Sequence, residues 1–352
     1  MKILILGGTG AMGTHLVELI AKEGHEIYVT TRSNKASVNN IHYIQGNARE
    51  IDFLKTNLHK KWDVIVDFMV YTTPEFTSRV KLLLNSAGQY IYLSSARVYA
   101  NSDRPIIESS DRLLDVTLDQ EYLATDEYAL AKARQEDVLK KSGKTNWTII
   151  RPYITYSEIR LQLGVLEKEA WLYRAVKGRT IVFSKDINTK ATTLTYGLDV
   201  SEGIVGIIGK KDALGEAFHI TLNQSVLWSD VLTIYLDVLE EKLGFRPKVL
   251  LKDLDQFCKV HRSNYQVIYE RLFNRKFDNS KIEKFIDTIG FKPVTDRLRT
   301  SLEDFLINGH FDAINWKLEA LKDKQTKERT PLNEIKGYKQ KLSYLLHRYI
   351  KN

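Results

Sequence analysis

The sequence predicts an α/β fold: a doubly wound parallel sheet with a smaller, mostly helical C-terminal domain. Three observations carry this. Short apolar runs alternate with helix-length segments through the first part of the chain. Those runs are continuous rather than alternating, as expected of strands buried on both faces. A glycine-spaced turn directly follows the first run.

In order, the strands read as 2–6, 26–31, 42–45, 63–69, 89–94 and 146–151, rich in Ile, Val, Leu and Tyr. The helices between them read as 11–23, 50–60, 74–86 and 119–142. Right-handed crossovers then place ligands at the carboxyl ends of the strands. Beyond Arg151-Pro152 the pattern loosens. A helix over 165–177 ends at Gly178, and a short strand covers Thr180 to Phe183. Residues 195–200 lead into a small-residue helix, 215–221 read as a strand, and 228–242 as a helix closed by Gly244 and Pro247.

Composition excludes several classes. No apolar run approaches the roughly 20 residues of a bilayer span, so membrane insertion is not expected. A strand from Lys2 leaves no room for a leader, and the single cysteine, Cys258, excludes a disulfide framework; a cytoplasmic protein is expected. Cys258 reads as a small buried apolar residue. Eight histidines without HExxH spacing and a lone thiol suggest no metal site. The formal charge of +8 draws on a lysine-rich tail that includes Lys317, Lys322, Lys324 and Lys327, read as a solvated helical face. Basic runs interleaved with aromatics are missing, so nucleic acid is not an expected partner.

The turn after the first strand is Gly7-Gly8-Thr9-Gly10-Ala11-Met12-Gly13. Gly7 allows a tight turn, Gly10 lets backbone approach a pyrophosphate, and Gly13 lets the helix pack close to the strand. The helix N-terminus, entered through Ala11 and Met12, adds amide donors and positive dipole. Strand, turn and helix in that order mark a dinucleotide site. The end of the second strand holds no carboxylate to bind a ribose 2′-hydroxyl; it offers Arg32 and Ser33. NADP(H) is therefore favoured. The alternative is Arg32 stacking on the adenine with NAD(H) bound.

Tyr128 and Lys132 stand four apart on a predicted helix, hence on one face. A phenol with an ordinary pKa of about 10 needs a neighbouring ammonium to act as acid and base near neutrality. Ser95 ends the fifth strand at the ligand edge, where a hydroxyl can stabilise oxyanion charge. The sixth strand ends there too, in Arg151-Pro152.

With these residues in place, roughly 1–250 resembles the extended short-chain dehydrogenase/reductases, the nucleotide-sugar epimerase, dehydratase and reductase family. The resemblance implies a Rossmann-type domain and makes Ser95, Tyr128 and Lys132 the catalytic trio. It adds Asn47, Ala48 and Pro152, with Tyr128 and Lys132, to the cofactor contacts. Substrate contacts are expected from Ser95, Arg97, Tyr153 and Lys190. Tyr196 to Val200 is similar to a family segment, and Lys177-Gly178-Arg179 looks like its helix–strand step. The family often dimerises, so a homodimer is expected. Where family dehydratases carry an Asp-Glu pair, this chain has Ala96 and Arg97, so removal of water lacks its acid.

The expected organisation is a dinucleotide domain at 1–155, rejoined by about 192–225. A substrate-binding part follows at 156–191 and 226–310, then a basic helical extension at 311–352. The expected activity is NADPH-dependent reduction of a keto-sugar nucleotide, a 4-keto-6-deoxy sugar first, in polysaccharide precursor synthesis. The alternatives are a nucleotide-sugar epimerase with tightly bound NAD(P), and a cofactor- or RNA-binding relative without chemistry. Asp67-Phe68-Met69 should pass beside the cofactor, with Phe68 and Met69 read first as core. Trp171 and Tyr173 are read as base-stacking or core residues, and Lys190, Arg246 and Arg271 as candidate pyrophosphate contacts.

Overall fold

The computed structural model describes residues 1–261 and 264–350. The apolar runs form β1 (Lys2–Leu6), β2 (Glu26–Thr31), β3 (Ile41–Gln45), β4 (Trp62–Asp67), β5 (Ala87–Leu93), β6 (Trp147–Pro152) and β7 (Glu216–Ile220). They hydrogen-bond in the order β3-β2-β1-β4-β5-β6-β7, every neighbouring pair parallel. All their carboxyl ends therefore share one edge. The reversal of strand order beside β1 is where a doubly wound sheet opens a ligand crevice.

The flanking helices are α1 (Gly13–Lys22), α2 (Ile51–Leu58), α3 (Thr73–Ser86), α4 (Tyr128–Lys140) and α5 (Gly197–Ile207). Alternate strand residues point to opposite faces. Leu4, Leu6, Ile65, Tyr90, Tyr92 and Ile149 pack in one buried cluster with Leu54, Leu58, Phe76, Leu83 and Leu139 of α2, α3 and α4. Helix α3 starts cleanly because Thr72 and Glu75 form a reciprocal capping box with a proline in the first turn.

The single helix expected over 119–142 is corrected to two pieces. One turn, Gln120–Leu123, is followed by a break, and α4 begins only at Tyr128. Polar side chains stop the helix in between. The Thr125 hydroxyl accepts from the Glu127 amide at 3.2 Å. Asp126 accepts from the Thr73 amide and hydroxyl at 2.8 and 2.6 Å. Glu127 then caps α4, accepting from the Ala129 amide at 2.8 Å.

The chain divides into two compact units. The first comprises Met1–Thr155, Thr193–Gln224 and Arg275–Phe291, and the second Tyr156–Thr192, Ser225–Asn274 and Lys292–Asn352. Two pieces fall elsewhere than the sequence boundaries put them. Residues 275–291, expected with the substrate part, belong to the first unit, where Arg275 donates to the Tyr99 and Ala100 carbonyls at 2.9 and 2.8 Å. The lysine-rich tail is no appended extension.

Within the second unit, helix Lys168–Val176 lays the fully buried Arg174 against the tail. Arg174 pairs with Glu319 at 2.9 Å, Asp323 at 2.8 Å and Glu328 at 2.9 Å. Asp323 also accepts from the Tyr344 hydroxyl and the Thr330 amide at 2.7 and 2.8 Å. Lys322, expected on a solvated face, is buried, donating to the Ala170 carbonyl at 2.6 Å and Glu319 at 3.0 Å. Trp171 is core, stacked on Tyr235 at 4.5 Å between centroids. Tyr173 packs edge-on to Trp316. Cys258 is half-buried rather than buried. Among the described residues no helix is long and apolar enough to cross a membrane.

Arg174→Ala leaves the buried Asp323 without its ion-pair partner and Glu319 with Lys322 alone. Urea unfolding of that variant is expected to show a loss of about 3–5 kcal/mol. A loss under about 1 kcal/mol would mean that the cluster does not anchor the tail.

Candidate active site

The parallel register brings the predicted ligand residues to one edge. Each strand delivers its own: the glycine turn after β1, Arg32 after β2, Asn47 after β3, Ser95 after β5 and Pro152 at the end of β6.

Gly7 has φ +73°, which glycine alone adopts without strain. A Cβ on Gly13 would stand 2.6 Å from the Gly8 backbone, so only glycine lets α1 come this close to the turn. A Cβ on Gly10 would meet nothing within 4 Å: that position faces open space. Met12 caps α1 without a side-chain hydrogen bond, and the first turn of the helix carries no acid. No side chain caps the amide end of α1 and no acid stands in its first turn, which fits a pyrophosphate.

The turn is braced from behind. Gly197, the first residue of α5, lies so close that a Cβ there would be 2.3 Å from the Ala11 carbonyl oxygen. Ser201, one turn on, donates to the Met12 carbonyl at 2.8 Å.

Arg32 is exposed at the end of β2 and, among the described residues, joins no hydrogen bond or ion pair. Ser33 beside it is also exposed, its amide held by the Thr31 hydroxyl at 3.2 Å. Asn47 starts the turn into α2, accepting from the Arg49 amide at 3.1 Å and donating to Glu50 at 3.2 Å. Ala48 is buried in the core cluster.

Helix α4 carries the second half of the site. Tyr128, its first residue, is half-buried. Lys132 is buried one turn behind it, 5.8 Å from the Tyr128 ring centroid, and donates to the Leu93 carbonyl at 2.6 Å. Burial pulls its ammonium down to about 8, with Asp67 and Glu136 resisting. Ser95, two residues beyond that carbonyl, is buried, and its hydroxyl accepts from the Arg97 amide at 3.2 Å.

The Arg97 guanidinium lies over the Tyr128 ring at 5.1 Å and pairs with Glu127 at 2.6 Å. Glu127 was not among the expected site residues. Its position just before the tyrosine, after a short break of polar residues, was the available signal.

Glu136 was overlooked as well. It accepts from the Arg151 guanidinium at 2.8 and 2.6 Å and from the Ser94 hydroxyl at 2.6 Å. Burial alone would raise its pKa, yet Arg151 and Ser94 leave it lowered. Arg151 also donates to the Tyr99 hydroxyl at 2.9 Å, so the Arg-Pro arginine is a buried strut.

Tyr153 is buried against Phe277, 5.2 Å between centroids. Lys190 belongs to the second unit, half-buried, its carbonyl taken by the Trp228 amide at 3.1 Å. Two candidate pyrophosphate contacts are corrected. Arg246 is held by Asp237 and Glu240 at 2.6 and 2.7 Å. Arg271 is buried, paired with Glu270 and donating to the Gly164 carbonyl. Among the described residues no cluster of His, Cys, Asp and Glu could hold a metal ion.

A family model described as the NAD dependent epimerase/dehydratase family matches residues 3–221. A curated relative, the Arabidopsis thaliana protein named chloroplast stem-loop binding protein of 41 kDa b, is 26% identical over 238 residues. The match covers 62% of this chain and 58% of the relative, so the chain spans little more than half of that protein's length. Among solved structures, an epimerase from Methanothermobacter thermautotrophicus aligns with TM-score 0.68 and 15% identity, covering 87% of this chain and 92% of that one. The UDP-glucuronic acid 4-epimerase of Bacillus cereus, in complex with UDP-glucuronic acid and NAD, aligns with TM-score 0.65 and 16% identity over 87% and 99%. At these identities the structural likeness shows the fold.

Gly13→Ala should force α1 away from the turn and weaken NADPH and NADH binding alike, by at least about tenfold. Quenching of protein fluorescence reads this. Unchanged affinity for both would place the dinucleotide elsewhere.

Proposed function

This chain belongs to the NAD dependent epimerase/dehydratase family, and from that premise we propose that it transfers hydride at a carbinol or ketone carbon of a nucleotide sugar. The observation that carries this reading is Tyr128 at the start of α4, with the Lys132 ammonium one turn behind it and Ser95 at the neighbouring strand end. Bound at the glycine turn, the nicotinamide would supply or take the hydride. Tyr128 would give the proton to the forming alkoxide, or remove it in reverse. Lys132 would hold the phenol's pKa down by its charge. The Ser95 hydroxyl would hold the substrate oxygen in place.

The direction we favour is reduction: NADPH is consumed, and the substrate is a keto-sugar nucleotide, first a 4-keto-6-deoxy sugar. The unpaired, exposed Arg32 supports NADP(H), because a guanidinium fork matches a 2′-phosphate. Ala96 and Arg97 supply no acid for removing water.

Epimerisation is the second reading, supported by the Bacillus cereus neighbour, whose complex holds NAD and UDP-glucuronic acid. It predicts cofactor that co-purifies and no net change in NADPH. A stem-loop-binding role draws on the name of the curated relative.

An NADPH-oxidation screen against keto-sugar nucleotides, run beside a redox-neutral epimerase assay, separates the first two. Tyr128→Phe should lower turnover by about 10²–10⁴-fold while cofactor binding stays within about twofold. Full turnover in that variant would remove Tyr128 from the chemistry. Arg32→Glu should weaken NADPH at least about tenfold and spare NADH. Equal losses for the two cofactors would refute the 2′-phosphate assignment.

A further inference from the structure

Asp67 ends β4 at the ligand edge and is fully buried, yet no step above uses it. An ionised carboxylate taken out of water is costly unless something balances its charge. Its hydrogen-bond donors are neutral: the Tyr90 hydroxyl at 2.8 Å, the Met69 amide at 2.9 Å and the Tyr71 hydroxyl at 3.4 Å. They orient the group without neutralising it.

The cation is on α4. Asp67 is the register partner of Tyr92 on β5. The Lys132 ammonium lies 4.6 Å from the Tyr92 ring centroid and donates to the next carbonyl along, that of Leu93. Lys132 and Asp67 form no direct ion pair; they interact through a low-dielectric interior, where charge acts at longer range. The other carboxylate near Lys132 is Glu136, one turn further along α4, and its charge is already met by Arg151 at 2.6 Å and Arg112 at 3.5 Å. The remaining titratable and charged neighbours are Tyr128 on α4, Tyr90 and Tyr92 on β5, and Tyr71, whose ring carries the Arg79 guanidinium of α3 at 4.5 Å. Asp67 is therefore the carboxylate left to balance Lys132.

We propose that Asp67 is a positioning residue acting through Lys132: its buried carboxylate keeps the lysine an ammonium, and so keeps a positive charge beside Tyr128. The role assigned to that charge rests on the proposed function of Tyr128; the coupling itself does not. Each group moves the other. Burial pushes Asp67 up to about 6 and Lys132 down to about 8, and each opposes the other's shift. Without Asp67 the lysine falls further. Its charge is then lost at a lower pH, and the alkaline limb of any Tyr128-dependent rate moves to lower pH with it.

The test is an NMR titration of the full chain carrying 13Cε-labelled lysine, with the Lys132 signal assigned by its loss in Lys132→Arg. In the native protein the signal should titrate near pH 8, with a smaller step near pH 6 as Asp67 protonates. In Asp67→Asn the main midpoint should fall by at least about one unit and the smaller step should vanish. Tyr90→Phe removes a neutral donor and keeps the carboxylate, so its lysine midpoint should stay within about half a unit of native.

A native titration in which the Lys132 signal shows no second step on the acid side of its main midpoint overturns the proposal, whether or not Asp67→Asn folds. So does an unmoved midpoint in Asp67→Asn, or a shift in Tyr90→Phe as large as that in Asp67→Asn. Full activity in Tyr128→Phe would sink the catalytic reading alone, because the lysine titration needs no turnover.

Discussion

The two-toothed pair between Glu136 and Arg151 sets where the candidate catalytic edge stands. It joins α4 to β6, and the Ser94 hydroxyl draws β5 into the same carboxylate. Tyr128, Lys132 and Glu136 share one helical face, so fixing the third fixes the rotation and height of the first two. A hydrophobic contact could hold the helix against the sheet, but it tolerates sliding. A bidentate guanidinium–carboxylate pair does not. Its cost is two buried charges, which makes it a device for geometry more than for stability.

Much of the first unit was legible because its signals are local. Strand runs, the glycine turn and the serine and proline at strand ends each sit within a few residues of one another, and the parallel sheet carries them to one edge. The start of α4 was less legible. Apolar spacing and good helix formers run on through 119–142, and periodicity cannot see that Asp126 is claimed by Thr73, 53 residues away. That contact ends one helix and lets Glu127 begin another, which moves Tyr128 from mid-helix to the first position.

The second unit was read poorly for a related reason. The tail's lysines dominate its composition, while what anchors it is a set of acids around Arg174. The sign of the average charge hid the sign of the buried charge. Asp67 was visible as a carboxylate closing an apolar run, Val64-Ile65-Val66, but its counter-charge lies on a helix 65 positions later in the sequence. A buried polar residue announces that it has a partner without saying which.

The reach of the Arg174 cluster has a consequence for synthesis. Arg174 precedes Glu319, Asp323 and Glu328 by 145, 149 and 154 residues. At about 5–20 residues per second, the guanidinium leaves the ribosome roughly 10–30 s before its partners exist. During that interval helix Lys168–Val176 cannot bury its arginine without an uncompensated charge, so the second unit stays open while the first can already close around its sheet. Assembly is ordered by the position of one cation in the chain. A pause in translation between the two segments would lengthen the period in which the nascent protein depends on chaperones.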